Sequence, residues 1–199
     1  ISGGMILSRI NGVDIRTMGS GNTGGTNAFR TMGAKFAVGV LLIDVVKGFI
    51  AVYFVPLLNL GELIPGSEAN IEFLPIVCGC GAVLGHVYPI YYKFKGGKGA
   101  GTMVGVLLAL FPLGLAVCLT VWGLGLILTG YVGSSTILGG IMLPISTLLF
   151  YEGGLSTSFG NFSIIFCLFI IFTHRSNIIR MMQGTENRFE KAMIFRKKT

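Results

Sequence analysis

Long runs of apolar residues constrain this chain more than any other feature. Residues 36–58, 73–92, 103–128, 137–151 and 162–173 contain only two Asp, Glu, Lys or Arg between them, Asp44 and Lys47. A helix needs about 20 predominantly apolar residues to cross the hydrocarbon of a bilayer, and several of these runs approach or exceed that length. The sequence is 52% hydrophobic and only 12% charged, with a mean hydropathy of +0.79, which excludes an ordinary soluble domain. The prediction is an all-α polytopic integral membrane protein, with residues 1–199 forming a single membrane-embedded domain.

The remaining charge orients the runs. Asn59 to Glu72 carries Glu62, Glu68 and Glu72 and no cation, whereas Arg9 to Lys35 and Lys93 to Lys98 are basic. The positive-inside rule sends the acidic loop outward and the basic stretches to the cytoplasm. Glu152 to Asn161 lacks cations and reads as external, so an odd number of crossings must separate it from Lys98. The break falls at Phe111-Pro112, where a helix loses a hydrogen bond. That predicts crossings at about 100–111, 113–129 and 137–151, with residues 130–136 returning to the cytoplasmic face, and a short one at 162–173 that continues into polar sequence. The opening residues, from Ile1, are amphipathic with neither an initiator Met nor a signal peptide, and read as the remainder of a first membrane helix, bringing the expected total to seven. His174 to Thr199 holds eight Lys, Arg or His residues and belongs in the cytoplasm. The net charge of +7 therefore reports topology and anionic partners, not nucleic acid. Cys78, Cys80, Cys118 and Cys167 all sit in apolar runs, so they read as packing residues without disulfides, and no zinc or other metal cluster is evident.

This topology puts four polar clusters on one side of the membrane. In Gly19-Ser20-Gly21-Asn22-Thr23-Gly24-Gly25-Thr26-Asn27 the glycines free backbone N–H groups while Ser20, Asn22, Thr23, Thr26 and Asn27 add donors, which suits a phosphate; Arg30 follows. The stretch satisfies G-x-G-x-x-G, but polar, mixed Arg9–Met18 before it is not the buried strand that a dinucleotide fold requires. Phe94-Lys95-Gly96-Gly97-Lys98-Gly99 combines flexible amides with ammonium groups and is not an ATPase loop, because glycine follows Lys98 in place of Ser or Thr. Ser134 to Thr136 is the third cluster, and His174 with Asn177, three residues apart on one helix face, the fourth. His86 is a further candidate. Asp44 and Lys47 share a face inside an apolar run, either as a structural ion pair or as the polar wall of a site.

In order along the whole chain, Gly19-Ser20-Gly21-Asn22-x-Gly24-x-Thr26-Asn27-x-x-Arg30, Gly85-His86-x-x-Pro89 leading into Phe94-Lys95-Gly96-Gly97-Lys98-Gly99, and His174-Arg175-x-Asn177-Ile178-x-Arg180 with Gly184-x-Glu186-x-x-Phe189 resemble the three motifs of the bacterial PlsY family of acyl-phosphate-dependent glycerol-3-phosphate acyltransferases. Asp44-x-x-Lys47-Gly48 is similar to that family as well. The resemblance implies a seven-helix plasma-membrane enzyme that moves a fatty acyl group from acyl phosphate to glycerol 3-phosphate, giving lysophosphatidic acid and phosphate. It implies a monomer among membrane lipids that needs no cofactor. By resemblance Ser20, Arg30 and Lys98 match residues that hold phosphate groups, and His174 and Asn177 match residues at the glycerol phosphate and the reacting centre. Gly21, Asn22, Thr26, Asn27, Gly96 and Gly97 complete the expected binding surface, and Thr136 falls where the family often carries a serine, with Ser135 as its rival. Thr23 and Gly25 depart from the family pattern, which more often has an apolar residue or proline and an alanine there. The His-Asp dyad of the common glycerolipid acyltransferases is absent, since Tyr91 and Ile179 stand five residues after His86 and His174. A membrane transporter for an organic phosphate is the alternative reading. Transport sites usually lie near mid-membrane, whereas these motifs lie at span ends.

Overall fold

The computed structural model describes residues 1–58 and 73–194; the acidic loop at 59–72 and the basic run Arg196-Lys197-Lys198 lie outside the described residues. The described residues are helical, without strands, and group into two compact units, Ile1–Leu110 and Phe111–Thr199. The first holds α1 (Gly3–Ile10), α2 (Gly25–Met32), α3 (Ala34–Tyr53), α4 (Leu74–Val87) and α5 (Ala100–Leu110). The second holds α6 (Pro112–Thr129), α7 (Val132–Phe150), α8 (Ser158–Thr173) and α9 (Arg175–Met182). By length and apolar composition α3, α4 with the 3-10 turn Ile90–Tyr92, α6 and α7 can each cross a bilayer, and α8 with α9 makes a fifth candidate, bent by 50°. At 8 and 11 residues, α1 and α5 are the other two of the seven expected segments and are too short to span alone.

In the first unit α1, α2, α4 and α5 all pack on α3. The α3–α5 seam is made backbone to backbone: a Cβ at Gly48 would stand 2.2 Å from the Thr102 carbonyl oxygen, and one at Gly105 would stand 1.9 Å from that of Val45. Small residues at a helix crossing allow such approach where lipid offers no hydrophobic drive for association. On the outer side of α3, Leu42, Val46 and Ile50 remain exposed, as lipid contact requires.

In the second unit α7 is the central element, packed by α6, α8 and α9. Pro112 opens α6, where a missing N–H costs nothing, with Phe111 as its N-cap, so the break stands where the sequence predicts it. Gly130, at φ 74°, closes the same helix. Three boundaries differ from expectation. α7 starts at Val132, so the expected polar return 130–136 shrinks to Gly130-Tyr131 and Ser134, Ser135 and Thr136 lie in its first turns. α8 starts four residues before Phe162, because the Thr157 hydroxyl caps the Gly160 N–H at 2.9 Å. The helix does not run straight through His174, which is both the last cap of α8 and the first of α9.

Candidate functional site

Asn27 organises the glycine loop. Its side chain is buried, and its Nδ2 donates to the carbonyl oxygens of Ile15 (3.3 Å), Met18 (3.0 Å) and Asn22 (2.9 Å) while its Oδ1 accepts the Ser20 N–H (2.9 Å). The amide thus serves the loop itself, and the reason lies in the left-handed Gly19 and Gly21, which fold those carbonyls inward. Asn22 closes an Asx turn onto the Gly24 N–H at 2.8 Å, and Thr23 is fully buried, accepting from Ser2 Oγ at 3.0 Å. What remains outward is Ser20 and Thr26, both exposed, at the start of a helix whose N-cap, Gly24, contributes no side chain. The first amides of α2 keep their hydrogen-bonding capacity, with the positive end of the helix dipole behind them. Arg30 is exposed in the last turn of α2.

The lysine loop is seated on the end of α4. Gly96 N–H donates to the Val87 carbonyl oxygen (3.1 Å) and Gly97 N–H to that of His86 (3.2 Å), so both amides are spent within the protein. They contribute close approach instead of donors, and after them come Lys98 and the start of α5. The two loops meet at a cleft of about 330 Å³ lined by Asp14, Arg16, Thr17, Gly21, Lys95 and Gly96. Arg16 is held there by Asp14, with Nε–Oδ1 at 2.9 Å and Nη2–Oδ2 at 2.7 Å. That hydrogen bonding holds the Asp14 carboxyl down at about 2 from an ordinary value of 3.8, and raises Arg16 in turn. Of the cleft residues, Arg16 lies outside the motifs, and Lys95 stands in the second motif without being named there as a site residue. Their signal was the basic stretch itself, which admits a topological explanation equally well.

Beneath the lysine loop, α3 and α4 bring together three buried or part-buried polar groups. Lys47 Nζ lies 2.5 Å from Asp44 Oδ1 and 2.7 Å from His86 Nδ1, and Asp44 Oδ1 also accepts the Gly3 N–H at 2.9 Å. Asp44 and Lys47 are therefore not a closed pair, because His86 completes them.

The second unit contains the remaining expected residues. His174 is buried, with Nδ1 2.9 Å from the Ile170 carbonyl oxygen. A carbonyl can only accept, so Nδ1 carries a ring proton. Asn177, also buried, donates through Nδ2 to Glu186 Oε1 at 3.1 Å, and Arg180 Nε meets Glu186 Oε2 at 2.7 Å. Gly133 at the start of α7 is pressed on Asn177, since a Cβ there would stand 2.6 Å from Nδ2. Thr136 is turned to α6: its hydroxyl donates to the Val132 carbonyl oxygen (2.8 Å) and receives Trp122 Nε1 (3.3 Å). Ser135 is fully buried and bonded to the Tyr131 carbonyl oxygen at 2.8 Å. Glu186, the partner that positions Asn177, was legible only as part of the third motif. Beyond it, the Phe189 N–H donates to the Gly130 carbonyl oxygen (2.7 Å) and the Ile194 N–H to that of Ile127 (3.1 Å), so the tail covers the last carbonyls of α6.

Membrane-length helices, with a helix start lacking a side-chain cap and a cationic cleft in the first unit and a buried histidine in the second, define a polytopic membrane protein with groups suited to anions and to proton transfer. The chain belongs to the glycerol-3-phosphate acyltransferase family, whose model matches residues 1–184. It is 36% identical over 190 residues to a glycerol-3-phosphate acyltransferase of Fusobacterium nucleatum, covering 95% of this chain and 91% of that protein. It is 42% identical over 175 residues to glycerol-3-phosphate acyltransferase 2 of Bacillus anthracis, covering 88% and 84%. Among solved structures it is similar to PlsY, an integral membrane glycerol 3-phosphate acyltransferase, in a glycerol 3-phosphate form (TM-score 0.76, 34% identity, 94% of this chain and 87% of that chain). The lysophosphatidic acid form of PlsY gives a TM-score of 0.74 at 32% identity, with 93% and 86% covered. The chain is thus an all-α, multi-pass integral membrane protein of that family.

Proposed function

We propose that this protein transfers a fatty acyl group from acyl phosphate to a hydroxyl of glycerol 3-phosphate, releasing lysophosphatidic acid and inorganic phosphate. The observation that carries the reading is the pair of glycine loops opening on a cleft with Arg16 and Lys95, in a membrane protein of the glycerol-3-phosphate acyltransferase family. Acyl phosphate is a mixed anhydride with a good leaving group, so no covalent nucleophile is needed. What is needed is two anions held so that the hydroxyl oxygen meets the carbonyl carbon. Ser20, Gly21, Thr26 and the α2 amides, with Arg30 and Lys98, bind phosphate oxygens; Asn22, Asn27, Gly96 and Gly97 hold those groups in place. His174 takes up the departing hydroxyl proton, Asn177 orients the glycerol phosphate under the control of Glu186, and Thr136 acts through its contact with Trp122. As the hydroxyl oxygen bonds the acyl carbon, the carbon–oxygen bond to phosphate breaks and phosphate leaves with the electron pair. The enzyme works as a monomer in the bacterial plasma membrane, its motifs on the cytoplasmic side.

Purified protein given acyl phosphate and labelled glycerol 3-phosphate should form labelled lysophosphatidic acid, and should form none with acyl-CoA as sole donor. Turnover with acyl-CoA alone would sink the donor assignment. For topology, a cysteine replacing the 91%-exposed Tyr91 should resist membrane-impermeant thiol reagents in intact cells and react in inverted vesicles.

A further inference from the structure

Nothing in the transfer chemistry uses Asp44, Lys47 or His86, yet placing ionisable groups within membrane-length helices is costly unless they perform a task. His86 Nδ1 lies 2.7 Å from Lys47 Nζ and 3.3 Å from Asp44 Oδ1, so one edge of the ring faces the pair. The imidazole is thereby pinned from one side. Its other side meets Gly97: a Cβ built on Gly97 would lie 2.0 Å from His86 Nε2, 2.8 Å from Cε1 and 3.0 Å from Cδ2. Gly96 is equally tight, its Cβ position falling 2.0 Å from the His86 carbonyl oxygen. His86 is only 2% exposed, so the ring cannot swing away to make room. The floor is fixed from below as well, because Asp44 Oδ1 is tied to Gly3 N–H and Gly101 is packed on the Asp44 Cβ, 3.3 Å from its own Cβ position.

We propose that Asp44, Lys47 and His86 form a rigid floor that sets the position of the Gly96–Gly99 loop, and that His86 is a positioning residue acting on the substrate phosphate through Gly97 and Lys98. The inference rests on the reading that Lys98 holds a substrate phosphate. The lysine loop has no side chains of its own at 96, 97 and 99, so its placement is borrowed from α3 and α4 through the imidazole.

The test is a set of glycerol 3-phosphate and acyl phosphate kinetics on Gly97→Ala, His86→Asn, the double variant and Lys98→Ala. His86→Asn keeps a polar atom where Nδ1 faces Lys47 and removes the ring edge that Gly97 touches, so the folded protein is retained; monodispersity in detergent checks this. Gly97→Ala should raise KM for glycerol 3-phosphate by tenfold or more, with kcat/KM down on the order of a hundredfold, as a displacement of about 1 Å produces. In the double variant the methyl group enters the space left by the ring, and KM should recover to within a few-fold of His86→Asn alone. A double variant whose losses multiply, or Gly97→Ala with unchanged KM, overturns the proposal. Lys98→Ala separates the two levels. If it is impaired while Gly97→Ala is not, only the floor is wrong; if Lys98→Ala itself leaves both KM values unchanged, the phosphate reading of that lysine is wrong.

Discussion

Asn177 Nδ2 donates to one carboxylate oxygen of Glu186 at 3.1 Å while Arg180 Nε donates to the other at 2.7 Å, so a single buried carboxylate fixes two residues of α9. Replacing Glu186 with Ala removes a buried acceptor from Asn177 and a carboxylate from Arg180, whose side chain is 31% exposed and can turn to water. The cost should be about 2 kcal/mol, the range for hydrogen bonds to a charged group with some discount for that exposure. Thermal unfolding in detergent should show it as a lowered Tm. Glu186→Gln keeps an acceptor for Asn177 and should lose less than Glu186→Ala; equal losses would mean that the Arg180 pair alone matters.

Asn27 gives a sharper case. Asn27→Asp is nearly isosteric but turns an acceptor toward the carbonyl oxygens of Ile15, Met18 and Asn22, so it should be at least as damaging as Asn27→Ala. A fall in kcat/KM of roughly a hundredfold, equivalent to about 3 kcal/mol for several lost hydrogen bonds, is expected in both. Near-normal rates in Asn27→Asp would show that the loop does not depend on the clamp.

Lys98 and Lys93 should part company. Loss of a charge-assisted contact at Lys98→Ala should cost roughly 1.5–3 kcal/mol, or about ten- to a hundredfold in rate or affinity. Lys93 lies outside the glycine run, where reach toward the membrane interface suffices to explain it, and Lys93→Ala should change initial rates little. Similar small effects at both positions would reduce the loop to a membrane anchor.

The glycine seam can be tested by contrast within one unit. Gly105→Ala drives a methyl group into the Val45 carbonyl oxygen and should destabilise by about 1–3 kcal/mol. Gly81→Ala, in α4, meets nothing within 4 Å and should be neutral or stabilising by up to about 1 kcal/mol through reduced chain entropy. Unfolding temperatures that move in the same direction for both would contradict the seam.

Asp14 makes a pH prediction. Because its folded value lies below the ordinary one, the Arg16 pair contributes at pH above 3.8 and is lost as pH falls through about 2. A carboxyl-carbon NMR titration should find the depressed midpoint in the native protein and a return toward 3.8 in Arg16→Ala.

Much of this architecture was legible in the sequence because membrane helices announce themselves by length and Pro112 by its missing donor. The site was legible as residue types in order, not as directions. Asn27, Gly96 and Gly97 carry donors that suit an anion, but whether a donor faces a ligand or a carbonyl depends on where Ile15, Val87 and His86 place their oxygens. Asp44 and Lys47 are three residues apart and read as a pair, whereas His86, thirty-nine residues beyond Lys47, enters only through the packing of α3 on α4. The bend at His174 was hidden for a similar reason: local apolar periodicity continues up to it and contains no proline or glycine to mark it.

The amide of Asn27 has a thermodynamic consequence for ligand capture. A flexible glycine-rich segment would have to be immobilised by its ligand, and that ordering would be subtracted from the affinity. Here the conformational entropy of Ser20 to Gly24 is surrendered during folding, against bonds that one internal side chain supplies. An incoming anion therefore meets an arrangement already set, and association should proceed without a slow rearrangement phase and with little change in amide hydrogen exchange across residues 19–27.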